Sequence, residues 1–167
     1  DTWFNTPIST VAVIDVAAGK SASFYKDVGA TNINAHNNAV LNFIQTDAHT
    51  VSSAINISDS GTVTVNVINS ADSEAPSAVT FSSATFAPST LNIGSSTHGG
   101  HAIFTHSDGL EVATINVVGG NHSSEDSSIT FNKAVTSTSA GITLNDSTGD
   151  ATVIFAANNS VDITGTI

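Results

Sequence analysis

Apolar and polar residues alternate along the chain in short runs. Thr62-Val63-Thr64-Val65-Asn66-Val67 shows it most plainly, with three Val side chains on one face and Thr and Asn on the other, the period of two of a half-buried β-strand. The same alternation places Ile129 and Phe131, Ile142 and Leu144, Val153 and Phe155, and Val161 and Ile163 on inward faces. Strand-like runs span 11–16, 39–44, 51–57, 62–68, 78–86, 90–93, 101–105, 110–118, 128–135, 141–144, 151–157 and 161–167, with weaker ones at 21–25 and 30–35. Between them lie turn formers such as Asn37-Asn38, Asp59-Ser60-Gly61, Gly99-Gly100, Asp108-Gly109, Gly119-Gly120-Asn121 and Asn158-Asn159. No window of a dozen residues carries helical periodicity, and β-branched residues are frequent throughout, so almost no helix is expected.

Many short strands in one chain fit two architectures, an antiparallel β-sandwich or a parallel β-helix (β-solenoid). The β-helix is favoured. Connections are short and polar and mostly lack the Asn-Gly or Asp-Gly pairs of tight hairpins, Asp108-Gly109 being the main exception. Aliphatic residues dominate the inward positions and aromatics make up 6%, which suits a narrow interior of stacked Val, Ile and Ala. The C-terminal run stops in mid-strand, which a quasi-one-dimensional stack tolerates better than a sandwich. With coils of about twenty residues, roughly seven or eight are expected, with a degenerate rather than strict repeat. Residues 1–167 are expected to form one all-β domain, a fragment or processed segment of a larger surface protein, with Asp1 a trimmed end.

Composition narrows the partners. Only 10% of residues are charged, and Ser, Thr and Asn, more than a third of the chain, supply the surface polarity instead. Three Lys, no Arg and 14 acidic residues give a net charge of −11, which cannot neutralise phosphates, so nucleic acid is not expected as a partner. No apolar stretch is long enough to span a bilayer, so this segment is not expected to insert into a membrane. The chain has no Cys, so it depends on no disulfide and is indifferent to the redox state of its compartment.

The stretches Ser127-Ser128-Ile129-Thr130-Phe131-Asn132-Lys133-Ala134-Val135, Ala140-Gly141-Ile142-Thr143-Leu144-Asn145, Ala151-Thr152-Val153-Ile154-Phe155-Ala156 and Ser160-Val161-Asp162-Ile163-Thr164-Gly165 carry a resemblance. Across residues 110–167 the chain resembles the passenger regions of bacterial autotransporter adhesins and rickettsial-type surface-layer proteins. The resemblance implies a right-handed β-helix exported to the cell surface for adhesion or coat formation. Such passengers are often richer in glycine than the 12 residues found here.

Candidate chemistry is sparse. His98, His101, His106 and His122, with Asp108, Glu111, Glu125 and Asp126 nearby, have the donor types of a zinc site but no spacing that fixes a tetrahedron, and exposed loop residues are the favoured alternative. The acidic turns Asp146–Asp150 and Asp59-Ser60-Gly61 could offer oxygens to calcium, against a reading as ordinary Asx turns. There is no Gly-x-Ser-x-Gly, and Glu74, Glu111 and Glu125 sit in or beside turns without a nearby aromatic sugar platform. No catalytic, cofactor-binding or metal-binding residue is therefore assigned, and no enzyme is expected. Trp3 and Phe4 are expected to cap the core, with insertion into a neighbouring subunit as the alternative. The sequons at Asn56, Asn121, Asn145 and Asn158 are no more than this much Ser and Thr yields by chance.

The expectation is a non-enzymatic, extracellular structural protein of a microbial surface that self-assembles into a coat, lattice or filament. Alternatives are an adhesin for a host or carbohydrate ligand, a sandwich-type pilin joined by strand exchange, and an ice-binding solenoid. The last would use Thr-x-Thr arrays, for which Thr62-x-Thr64, Thr136-x-Thr138 and Thr164-x-Thr166 are the nearest pairs.

Overall fold

An alternating strand must bury one face, and each strand of this chain buries it against the axis of a coil. The computed structural model describes residues 1–70, 77–106, 110, 112–132, 136–137, 141–156 and 162–163, with the backbone alone at 136–137 and 162–163. Strands, numbered in chain order, fall on three sides. Sheet I holds β1 (Thr2–Phe4), β3 (Ser21–Phe24), β5 (Ala39–Gln45), β8 (Val63–Asn69), β10 (Thr90–Ile93), β12 (Thr114–Val118) and β15 (Gly141–Asn145). Sheet II holds β6 (His49–Val51), β9 (Val79–Phe81), β11 (Gly100–Phe104), β13 (Ser127–Phe131) and β16 (Ala151–Phe155). Sheet III holds β2 (Val13–Val16), β4 (Asn32–Ala35) and β7 (Ala54–Ile57), then continues through the bridges Ile55–Phe86–Leu110 towards the paired β14 (Thr136–Ser137) and β17 (Asp162–Ile163).

Every strand pair is parallel, and no helix occurs among the described residues. The protein is a parallel β-solenoid of about six turns, which excludes the antiparallel sandwich. Stacked side chains are separated by 19 residues at Ser23–Asn42, 24 at Asn42–Asn66, 26 at Asn66–Asn92 and 24 at Asn92–Asn116. Past the first, these coils are longer than the expected twenty residues, so fewer fit in the chain.

Several sequence runs turn out to fold at a corner. The run 51–57 divides into β6 and β7 around Ser52 and Ser53, whose backbone N–H and side-chain hydroxyl respectively donate to Val28 O at 2.9 and 3.3 Å. Val51, Ser53 and Ile55 all face inward, so the alternation passes through the corner without a break and hides it. The runs 78–86 and 110–118 divide in the same way, sending Phe86 and Leu110 to sheet III. The weak runs at 21–25 and 30–35 form regular strands, β3 and β4, paired on both sides.

The interior corrects the expectation of a purely aliphatic fill. All eight Phe residues of the chain join one continuous aromatic column. On sheet I, Phe4, Phe24 and Phe43 stack with centroids 5.0 and 5.2 Å apart. Phe43 then meets Phe81 edge-on at 5.2 Å, and the column crosses to sheet II, where Phe81, Phe104, Phe131 and Phe155 follow at 5.0, 5.8 and 5.8 Å. Phe86 closes a triangle with Phe81 and Phe104 at 4.9 and 5.0 Å. Val65, Leu91 and Ile115, and likewise Ala102 and Ile129, fill the remaining columns, all within 1% of complete burial. Leu144 and Phe155 point inward beneath Val117 and Phe131 but are 41% and 40% exposed, because no described residue stacks on their outer side. Trp3 does not cap the core. It is in register with Ser23 on the outer side of sheet I and 66% exposed, while Phe4 caps the aromatic column.

One buried amide stands in for a strand partner between sheets I and II. Gln45 Oε1 accepts from His101 N at 2.9 Å and its Nε2 donates to His101 O at 3.0 Å and to Ser77 O, so one side chain serves the backbone of a strand 56 residues away. Burial without these bonds would leave two polar groups unpaired.

Phe104, which touches Phe81, Phe86 and Phe131, is expected to lose about 3–5 kcal/mol of unfolding free energy on Phe104→Ala. Ile103→Ala, on the outward side of the same strand, is expected to lose less than about 1 kcal/mol. Urea unfolding followed by circular dichroism checks both; equal losses would remove the column from its central place.

Candidate binding face

Among the described residues, the outward side of sheet I, with seven strands in register, is the longest regular surface. Parallel in-register pairing stacks equivalent side chains about 4.7–4.9 Å apart, so the outward residues form columns along the axis. The first runs through Ser21, Val40, Thr64, Thr90, Thr114 and Gly141. The second runs through Trp3, Ser23, Asn42, Asn66, Asn92, Asn116 and Thr143. Ile44 and Ile68 begin an apolar third column that Val118 continues and the amide of Asn145 ends.

The second column is a hydrogen-bonded amide ladder. Asn116 Nδ2 donates to Asn92 Oδ1 at 2.8 Å, Asn92 to Asn66 at 2.9 Å, Asn66 to Asn42 at 2.8 Å, and Asn42 to Ser23 Oγ at 3.2 Å. Each amide spends one N–H on its neighbour, and such chains polarise one another. The second N–H of each amide remains for a ligand or water.

The third column breaks at Gly94. This residue has φ +74°, and a Cβ there would lie 2.1 Å from Ser127 Oγ and 2.2 Å from Val118 O, so no side chain can occupy the position. The gap opens a pocket of about 350 Å³ between the amide ladder and the aliphatic residues Ile68 and Val118, floored by Gly94 and closed by Ser95, Thr143 and Asn145. No ionisable side chain lines it. Sequence inspection missed this face, since its signal, Asn at matching places in 42, 66, 92 and 116, appears only once the unequal coil lengths are known. Of the Thr-x-Thr pairs, Thr138, Thr164 and Thr166 lie outside the described residues; around Thr62-x-Thr64, stacked Thr64, Thr90 and Thr114 form a single column, beside Asn rather than Thr.

The histidines scatter. His98 Nδ1 lies 3.5 Å from Glu125 Oε1, His101 Nδ1 contacts Ser128 Oγ at 2.8 Å on the outer side of sheet II, and His122 is exposed in the loop before Glu125. His106 stands past the end of β11, and Asp108 and Glu111 lie outside the described residues. Among the described residues no group of three or more His, Asp or Glu is placed to hold a metal ion. In the acidic turns, Asp146 Oδ1 accepts from Ala151 N, five residues on, at 2.8 Å, and Asp126 Oδ1 accepts from Asp150 N, one coil away, at 2.9 Å, so neither bond closes an Asx turn. Asp59 Oδ1 accepts from Gly61 N at 3.4 Å, and its Oδ2 faces His36 Nδ1 at 3.3 Å while Asp15 Oδ1 faces His36 Nε2 at 2.9 Å.

Glu125 is not the exposed turn residue expected. It is 1% exposed, and Oε2 accepts from Gly99 N at 2.8 Å, while Oε1 meets only His98, at a length too great for a good hydrogen bond. Three loops stack at this corner, and glycine is required where they touch: a Cβ on Gly120 would come within 2.5 Å of Glu125 Oε2, and one on Gly119 within 1.8 Å of Gly149 O. The carboxylate thus binds one loop to the next.

The histidines also titrate differently. At His36 partial desolvation works to lower the pKa, but the hydrogen bonds and charges of Asp59 and Asp15 outweigh it and the net shift is upward from 6.5. Burial dominates at His49 and His101 and pushes both below 6.5. A raised pKa stabilises the fold fully below the unfolded value and loses that contribution as pH rises through the folded one, whereas a lowered histidine pKa penalises folding in acid and the penalty is gone above the unfolded value. Proton NMR titration is expected to order the three as His36 above 6.5 and His49 and His101 below it.

Glu125→Leu is expected to cost about 1–3 kcal/mol by stranding the Gly99 N–H, whereas Glu125→Gln keeps an acceptor and loses clearly less; thermal unfolding of both variants checks the difference. Compared with protein-family models, curated proteins and solved structures, the chain matches none, so the coil and its groove rest on their own geometry.

Proposed function

We propose that the chain is a non-enzymatic structural segment of a microbial cell surface, a stiff coil that continues along its axis into a coat, lattice or filament. One observation carries this reading. The six exposed large apolar residues among those described all lie on the first coil (Trp3, Val11, Val13) or the last (Leu144, Ile154, Phe155). Between them the outward apolar side chains, such as Ile44, Ile68, Ile103 and Val118, are only partly exposed. Apolar exposure confined to two ends marks the surfaces that further coils or another chain would cover, and among the described residues no strand pairs with the outer side of β1, β15 or β16. The resemblance of residues 110–167 to exported β-helical passengers supports an extracellular location. An adhesive role is the second reading, supported by the uncharged groove on sheet I.

Negative-stain electron microscopy and sedimentation velocity of the purified chain test the assembly. End-to-end particles or filaments that shorten or vanish in Phe155→Lys are expected. Monodisperse particles at all concentrations, with no difference in the variant, would contradict it.

A further inference from the structure

We infer that the groove on sheet I is a binding site for an uncharged polysaccharide chain lying along the solenoid axis. The groove is bounded on one side by the amides of Asn66, Asn92 and Asn116 and on the other by Ile68 and Val118, with the bare backbone of Gly94 between. It crosses four consecutive strands of sheet I, roughly 14 Å at the inter-strand spacing, and its volume of about 350 Å³ falls in the range of small-molecule sites.

The chemistry of the lining selects the occupant. No ionisable side chain lines the groove, although the chain carries a net charge of −11. A charged ligand would lose its hydration here without gaining a partner, and an anionic one would also meet the field of the whole molecule. A peptide added as a strand needs a sheet edge, whereas this is a sheet face. A second copy is too large a partner for so small a patch: three columns by four coils bury on the order of 200–300 Å² a side, against about 800 Å² in stable interfaces.

A neutral sugar chain meets each requirement. Its hydroxyls both donate and accept, matching amides that retain one free N–H and acceptor capacity, and its C–H faces suit Ile68 and Val118. The amides are already held by the ladder at 2.8 and 2.9 Å, so binding freezes few rotamers. Their repeat along the axis lets successive sugar units find successive amides.

Retention of the intact chain on immobilised neutral polysaccharides (cellulose, chitin, β-1,3-glucan, mannan and dextran), beside heparin and alginate, tests the site. The expected result is retention on at least one neutral polymer, insensitive to salt, and reduced at least tenfold by Ile68→Lys and by Asn92→Leu. Thr152→Lys, on the outer side of sheet II, should bind as the parent does. Because Asn92→Leu also cuts the ladder, melting temperatures accompany each variant, and Ile68→Lys, which leaves the ladder intact, decides the matter if Asn92→Leu unfolds. No retention on any neutral polymer, retention on the charged polymers alone, or equal retention by Ile68→Lys and Thr152→Lys would overturn the inference. Microscopy of end-to-end assembly reads out separately, so a chain that forms filaments without binding sugar, or the reverse, distinguishes the two proposals.

Discussion

In-register parallel stacking is the constraint on which everything else rests. Each residue of a strand lies against its equivalent one coil away, at about 4.8 Å, so each column must be filled with side chains that tolerate their own kind as neighbours. Phe stacks on Phe, Val65 stands between Leu41 and Leu91, Leu91 stands on Ile115, and the amide of Asn, carrying both a donor and an acceptor, bonds to the next Asn without a change of partner type. Carboxylates fail this test, because like charges at that distance repel. Among the described residues, the in-register strand pairs accordingly include just Asp15 and Asp162 as carboxylates, set against Asn34 and Thr136. The low charge of the chain, which in the sequence looks like a peculiarity of composition, follows from the geometry of its sheets.

The corners obey a different rule. Between sheets I and II the loops after β10, β12 and β15 come so close that Gly94, Gly119 and Gly120 have no room for a Cβ. Contact of this kind buries polar backbone groups, and Glu125 supplies the acceptor for one of them. The same close approach that demands glycine at position 94 also empties the apolar column outside it. The groove is therefore a by-product of corner packing, bounded by the most ordered polar column in the molecule.

Much of this fold was legible because alternation is a local property. The Val63, Val65 and Val67 face and the Asn-rich, Thr-rich opposite face follow from the sequence alone, as does the absence of helix. The corners were not legible, since Val51, Ser53 and Ile55 keep their phase through the bend between two sheets. Coil lengths that vary from 19 residues (Val13 to Asn32) to 31 (Ile55 to Phe86) likewise hid which residues share a column. The aromatic spine was missed for that reason: eight Phe scattered over the chain look few until each is seen to stand on the next. Glu125 was read as exposed because acidic residues in turns usually are; its burial depends on loops far away in sequence, which no local pattern encodes.

The absence of cysteine makes the stacking directly testable. A disulfide needs Cα atoms about 4.4–6.8 Å apart, which in-register neighbours meet and diagonal ones do not. The double variant Asn66→Cys with Asn92→Cys is predicted to oxidise completely within one chain, while Thr64→Cys with Asn92→Cys, displaced along the strand, stays reduced under the same conditions. Closure of the displaced pair in preference to the aligned one would contradict the register from which the column of rings, the amide ladder and the groove are all derived.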